Sequence, residues 1–321
     1  MFRVATQMKK DKVDIVGSGF VKNADGNLLI EPGSVARRWE ENFSRLLNEE
    51  NENQIEVEHM VSGPIECVRR EEVEVAMKKM KNRRATGPSG IAVEMLKGMG
   101  EIGIDEMTEA LRSIECGGGM PSSWKDSTTI TLYKGRGDAL DCAKYRGLRL
   151  LEHGFKLYEK VLEEKLRRIT LVGNNQFGFI AERSTIGAIF TVRQLQEKYL
   201  ERKRKLYHIF VDMEKAFDRV PRRAIEWALR RQLVPELLVQ RVMSLYEDSR
   251  SRVRVAGVDS EWFNINVGVH QGSALSPLLF ILVMEEATRE CQGDALWNLL
   301  YADDLVLTVD SREEVEQKFV E

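Results

Sequence analysis

Cysteine is scarce in this chain and scattered: its 321 residues hold four, Cys67, Cys116, Cys142 and Cys291, with no C-x-x-C pair, beside only four histidines. That argues against both a zinc module and a disulfide framework. A charge of one sign is lacking too. The net charge is −3 although 31% of the residues are charged, so the global basic signal of a simple nucleic-acid binder is missing and any phosphate-binding surface must be local. No apolar run is long enough to span a bilayer, and the N-terminus has no apolar signal core. The expectation is therefore no membrane contact and a reducing intracellular setting, with nucleus and cytoplasm not separated. Internal repeats and low-complexity tracts are absent as well.

What is present is length and local pattern. A chain of 321 residues can bury a substantial core and hold two subdomains. Basic clusters at Arg202-Lys203-Arg204-Lys205, Arg222-Arg223 and Arg230-Arg231 suit either a phosphate-facing cleft or a solvated surface. Both ends, Glu40 to Glu58 and Glu313 to Glu321, are acidic and not expected to carry nucleic acid. Periodicity predicts an N-terminal amphipathic helix capped by Ser34, with Val35, Trp39, Phe43, Leu46 and Leu47 on one face. A second helix carries Val73, Ala76, Met77 and Met80, and a third, from Leu151 to Ile169, has the stripe Leu151, Phe155, Tyr158, Leu162 and Ile169. Between them Gly117-Gly118-Gly119-Met120-Pro121 breaks the chain before a strand over 128–133.

Two apolar, β-rich runs flank Tyr301-Ala302-Asp303-Asp304, where adjacent carboxylates at a strand turn would repel. The pair is either a polar hairpin turn or two hard-oxygen ligands for Mg²⁺. A second β-rich run, Leu206 to Met213, closes on Asp212, so neighbouring strands can set Asp212 beside Asp303 and Asp304. Three converging carboxylates suit two Mg²⁺ ions. Such a pair lowers the pKa of an attacking hydroxyl, bridges phosphates and stabilises the leaving oxygen in nucleotidyl transfer.

With these residues placed, the chain resembles the reverse transcriptases of non-LTR (LINE-type) retrotransposons. Phe210-Val211-Asp212-Met213-Glu214-Lys215-Ala216-Phe217-Asp218-Arg219-Val220-Pro221 is similar to the family's first catalytic block. His270-Gln271-Gly272-Ser273-Ala274-Leu275-Ser276-Pro277-Leu278-Leu279-Phe280 is similar to its nucleotide-pocket block, and Tyr301 to Asp304 to its metal-binding turn. Three upstream stretches resemble its fingers blocks: Arg84-Ala85-Thr86-Gly87-Pro88-Ser89-Gly90-Ile91, Tyr145-Arg146-Gly147-Leu148 through Lys156, and Asn175-Gln176-Phe177-Gly178-Phe179 through Thr185. All six stand in the family's order. The resemblance implies an α+β, right-hand polymerase architecture of fingers and palm, with an antiparallel palm sheet and packed helices. An N-terminal helical extension would cover 1–62, a fingers-like region 63–207 and the palm 208–321. The chain ends 17 residues after Asp304, so the helical thumb is expected to be missing.

The resemblance also implies site roles. Asp212 and Asp303 would be the main catalytic metal ligands, with Asp304 beside them and the Met213 carbonyl as a main-chain ligand, together holding two Mg²⁺ ions. Phe217 matches the family's steric gate against a ribose 2′-hydroxyl; the bland alternative is a core aromatic. Gln271 and Gly272 would floor the pocket under the incoming base, where glycine permits close backbone approach. Arg146 would hold the triphosphate, with Lys134 a second candidate, and Ser276 would cap a helix that has Pro277 at its first position. The implied partners are an RNA template, a DNA primer and deoxynucleoside triphosphates. Ile180-Ala181-Glu182 departs from the family pattern by putting a carboxylate where template phosphate is expected. That departure and the missing thumb motivate a competing reading, a non-catalytic RNA-binding remnant. An RNA-directed RNA polymerase is disfavoured by Phe217 and by Leu275-Ser276-Pro277.

Overall fold

The computed structural model describes residues 19–49, 55, 60–289, 297–309 and 311. In chain order its first part forms β1 (Val21–Lys22), β2 (Leu28–Leu29), α1 (Pro32–Leu46), α2 (Arg70–Lys79), α3 (Val93–Gly98), α4 (Gly100–Ser113), α5 (Ser122–Lys125), β3 (Asp126–Tyr133), β4 (Tyr145–Leu150) and α6 (His153–Ile169). The remainder forms α7 (Thr185–Glu201), β5 (Tyr207–Asp212), α8 (Ala216–Arg219), α9 (Arg222–Arg231), α10 (Glu236–Ser244), β6 (Arg250–Val255), β7 (Val258–Asp259), β8 (Phe263–Asn264), α11 (Ser276–Ala287), β9 (Trp297–Tyr301) and β10 (Asp304–Val309). Helix and sheet are mixed, as an α+β reading requires. Among the described residues no helix is long and apolar enough to cross a membrane.

Two compact units are built from interleaved stretches of chain: 1–50, 67–161 and 244–273 make the first, and 51–66, 162–243 and 274–321 the second. The first unit holds a sheet ordered β4-β3-β6-β7, with β8 also on β6. Strand β3 meets β4 antiparallel and β6 parallel. Parallel neighbours need a long crossover, which is why residues 244–273 return to a unit begun far upstream. The linear division expected at residues 62 and 207 has no place for that return. Helix α1 lies on this sheet, burying Val35, Trp39 and Phe43 with Val253, Val255 and Ile265, and the Trp39 ring stands edge-on to Tyr145 at 4.8 Å.

The second unit holds a three-stranded antiparallel sheet ordered β5-β10-β9. Helices α9 and α11 pack against one another. Helix α11 is apolar around its circumference and buries Leu278 through Met284, the pattern of a helix enclosed on all sides.

Three local expectations need correction. Helix α1 is capped by Glu31, whose carboxylate accepts from the Gly33 and Ser34 N–H groups at 3.1 and 2.7 Å; Pro32 starts the helix, which leaves Ser34 inside it. Helix α6 begins after Leu151, and Ile169 at its end is 45% exposed; its buried stripe is Phe155, Tyr158, Leu162 and Leu166. Helix α11 starts at Ser276 with Leu275 in the cap position, one residue earlier than expected.

Candidate active site

The carboxylates are placed by the β5-β10-β9 sheet. Strand β10 buries Val306 through Val309 in succession while β5 is only partly buried, and their register sets Asp304 opposite Asp212 at one end of the ladder and Val309 opposite Tyr207 at the other. Asp304 also faces Tyr301 across the β9–β10 hairpin, so the tight turn is Ala302-Asp303. Ala302 closes it in the left-handed region at φ +58°, a conformation an L-residue adopts at a cost. Asp212 and Asp304 are exposed and Asp303 half-buried. The sequence ranks Asp303 first beside Asp212, whereas the backbone pairs Asp304 with it.

Like charges facing across a ladder repel. Asp304 keeps solvent contact, but partial burial, then the charges of Asp303 and of Asp212, raise its carboxyl above the usual aspartate value. Among the described residues no group of three or more His, Cys, Asp or Glu side chains is arranged to hold a metal ion. The donor chemistry nevertheless fits a hard divalent cation: the oxygens are anionic, and their mutual repulsion is what such an ion relieves. Met213 follows directly on β5 and is half-buried.

A raised carboxyl binds more protons in the native than in the unfolded chain, so stability falls as pH rises from the ordinary value of 3.8 through the raised one. Mg²⁺ should offset this fall. Thermal melting at pH 7.5 should show a rise of a few degrees with saturating Mg²⁺, and Asp304→Asn should melt higher than wild type in EDTA while gaining less from the ion. Equal Mg²⁺ responses would separate Asp304 from the cation.

Phe217 is the second residue of α8, and its ring is held from two sides. It stacks on Phe280 with centroids 4.3 Å apart and planes at 15°, and meets Phe179 edge-on at 5.8 Å. Against the same sheet runs the segment 175–178, part of a stretch expected to belong to the fingers. The Leu300 N–H donates to the Asn175 carbonyl at 2.9 Å, and the Phe177 N–H to the Leu300 carbonyl at 2.8 Å. Loop polarity carries no periodicity, so nothing local to this segment marks the contact.

The other expected residues lie in the first unit. Arg146 is exposed on β4. The Gln271 carbonyl accepts from the Arg149 N–H of that strand at 2.8 Å, and Gly272, at φ +116°, sits where a Cβ would come within 2.6 Å of the Arg149 carbonyl oxygen. Glycine is thus required by the approach to β4 itself. Gln271 Oε1 is buried without a hydrogen-bond partner. Two of the upstream blocks also meet here: Glu152 accepts from the Ser89 N–H at 2.7 Å and hydroxyl at 2.5 Å, and a Cβ on Gly87 would lie 2.7 Å from the Glu152 nitrogen. Burial lowers the nearby Lys156 amine, against the opposing charges of Glu159 and Glu152.

The structure therefore gathers Asp212, Phe217, Asp303 and Asp304 in one unit and Arg146, Gln271 and Gly272 in the other. An acidic strand end facing an acidic hairpin defines a site suited to divalent-metal chemistry on phosphates. The family model for reverse transcriptase (RNA-dependent DNA polymerase) matches residues 133–321, more than half of the chain, and the chain belongs to that family. The retrovirus-related Pol polyprotein from type-1 retrotransposable element R2 of Nasonia vitripennis is 29% identical over 240 residues, covering 72% of this chain and 23% of its own length. The RNA-directed DNA polymerase from mobile element jockey of Drosophila melanogaster is 25% identical, covering 81% of this chain and 29% of its own. A probable RNA-directed DNA polymerase from transposon BS of the same fly is 27% identical, covering 82% and 30%. The resemblance to non-LTR retrotransposon enzymes is borne out, and the chain spans less than a third of the length of these relatives. A solved apo telomerase from Candida tropicalis, truncated from its C-terminal domain, aligns with 65% of this chain and 50% of its own at 13% identity and a TM-score of 0.45; nothing rests on a likeness of that level.

Proposed function

We propose that this chain carries out RNA-templated DNA synthesis, joining a deoxynucleoside monophosphate to the 3′-hydroxyl of a DNA primer with release of pyrophosphate. The observation that carries the reading is the register of Asp304 against Asp212, inside a stretch that overlaps the family match. Two Mg²⁺ ions would supply activation of the primer hydroxyl and neutralisation of phosphate charge. Asp212, Asp303 and Asp304 hold them, with the Met213 carbonyl as a main-chain ligand. Arg146, free to reach solvent on β4, balances charge on the triphosphate. Gln271 and Gly272 bear on the incoming base, a role supported by the partnerless acceptor of the Gln271 side chain. Phe217 excludes a ribose 2′-hydroxyl. The β5-β10-β9 sheet supports a palm that draws on 208–243 and 274–309 of the stretch 208–321, and the fingers-like region over 63–207 and the extension over 1–62 complete the proposal as sequence blocks across which the compact units interleave.

The test is primer extension on an RNA template with deoxynucleotides, with Mg²⁺ or EDTA. Templated product that needs the metal is expected. A folded chain that binds RNA equally with and without Mg²⁺ and makes no product would favour RNA binding without catalysis, and preferential use of ribonucleotides would point to an RNA-directed RNA polymerase.

A further inference from the structure

We propose that Gln176 is the positioning residue of the carboxylate turn: its side-chain oxygen holds Ala302 in place and thereby sets how tightly Asp303 and Asp304 bind the cation. The inference rests on the function proposed above and adds a residue to it. Gln176 is fully buried. Its Oε1 accepts two backbone N–H groups, that of Gly178 at 2.7 Å and that of Ala302 at 3.1 Å. Two donors around one oxygen fix which way the amide points, and the amide nitrogen has no partner. The side chain is therefore held for its acceptor alone.

That acceptor grips the residue under strain. Ala302 is buried, sits at φ +58° and immediately precedes Asp303. Gly178 presses on it from the same segment: a Cβ there would lie 2.3 Å from the Ala302 nitrogen. The segment itself is anchored. Asn175 Nδ2 donates to Asn298 Oδ1 at 2.6 Å, and Arg183 donates to the carbonyls of Gly173 and Gln176 at 2.9 and 2.5 Å. Without the Gln176 oxygen the Ala302 N–H is left buried and unsatisfied, and the left-handed turn can relax. Mg²⁺ demands near-ideal octahedral geometry, so a displaced turn shows first as lost metal affinity.

The experiment compares Gln176→Met and Gln176→Glu with wild type in two readouts, the Mg²⁺ titration of thermal stability and steady-state primer extension. Gln176→Met is expected to need roughly ten- to a hundredfold more Mg²⁺ for half-maximal stabilisation, with a comparable loss in kcat and little change in the deoxynucleotide KM, as for other residues that orient metal ligands. Gln176→Glu keeps an oxygen at the same reach in either protonation state and should recover to within a few-fold of wild type. Wild-type Mg²⁺ dependence in Gln176→Met, equal damage in both variants, or a wild-type chain with no Mg²⁺ stabilisation overturns the inference. If Gln176→Met does not fold, Gln176→Asn, one methylene too short to reach both N–H groups, is read by the same criteria. Failure of the proposed function looks different: a normal Mg²⁺ titration without templated product.

Discussion

Asparagine in place of Asp303 is expected to lower RNA-templated incorporation by at least ~10³-fold while leaving the chain folded, because metal stabilisation of transition-state charge is worth several kcal/mol. Asparagine has the same shape and can still occupy the turn, but it offers a neutral oxygen and a nitrogen that cannot bind the cation. Stability should hold or rise, since the charge of Asp303 is one of the causes that raise the Asp304 carboxyl. Single-turnover extension measured beside thermal melting separates the two effects: lost chemistry with an intact melt assigns Asp303 to the reaction, and retained incorporation removes it. Asp304→Asn belongs in the same series. The sequence sets Asp303 first, the ladder sets Asp304 opposite Asp212, and the ratio of the two losses decides which carboxylate the cation depends on more.

The parts of this site that could be read in advance are those written as local pattern. Short apolar, β-branched runs bordered by aspartate, closing on Asp212 and opening after Asp303, mark β5 and β10, and the observed ends fall within a residue of the expected ones. The unbroken apolar run after Pro277 marks α11 for a different reason, since a helix enclosed on all sides carries no polar face. What escaped is written in partners far along the chain. Asp126 pairs with Arg250 across β3 and β6, and nothing in either stretch names the other, so the interleaving of the two units has no sequence signature. Gln176 is a polar residue in a loop, where its hold on Ala302 leaves no period to detect. Gly272 shows a milder failure: the need for glycine was legible, but its cause is the carbonyl of Arg149 on β4. Such contacts are fixed by tertiary packing, which overrides what a short window can carry.

Replacing Phe217 by valine is expected to let ribonucleotides in, lowering the preference for deoxynucleotides roughly ten- to a hundredfold. A gate that works by clash must be stiff, because a ring free to swing aside would admit the 2′-hydroxyl at small cost. Here stiffness has a visible source: the face of Phe217 lies on Phe280 and Phe179 abuts it edge-on, the two arrangements in which aromatic pairs attract. The same contacts mean that Phe217→Val gives up packing, on the order of 2 kcal/mol for a half-buried ring, so selectivity and stability must be measured together. If the ring serves only as core, the variant melts lower and its ratio of kcat/KM for deoxynucleotides over ribonucleotides stays put. Phe280→Leu provides the decisive comparison. It leaves Phe217 in the chain but removes the surface it stacks on, so a gate held by that stack should lose part of its discrimination, whereas a gate defined by the Phe217 side chain alone should lose none.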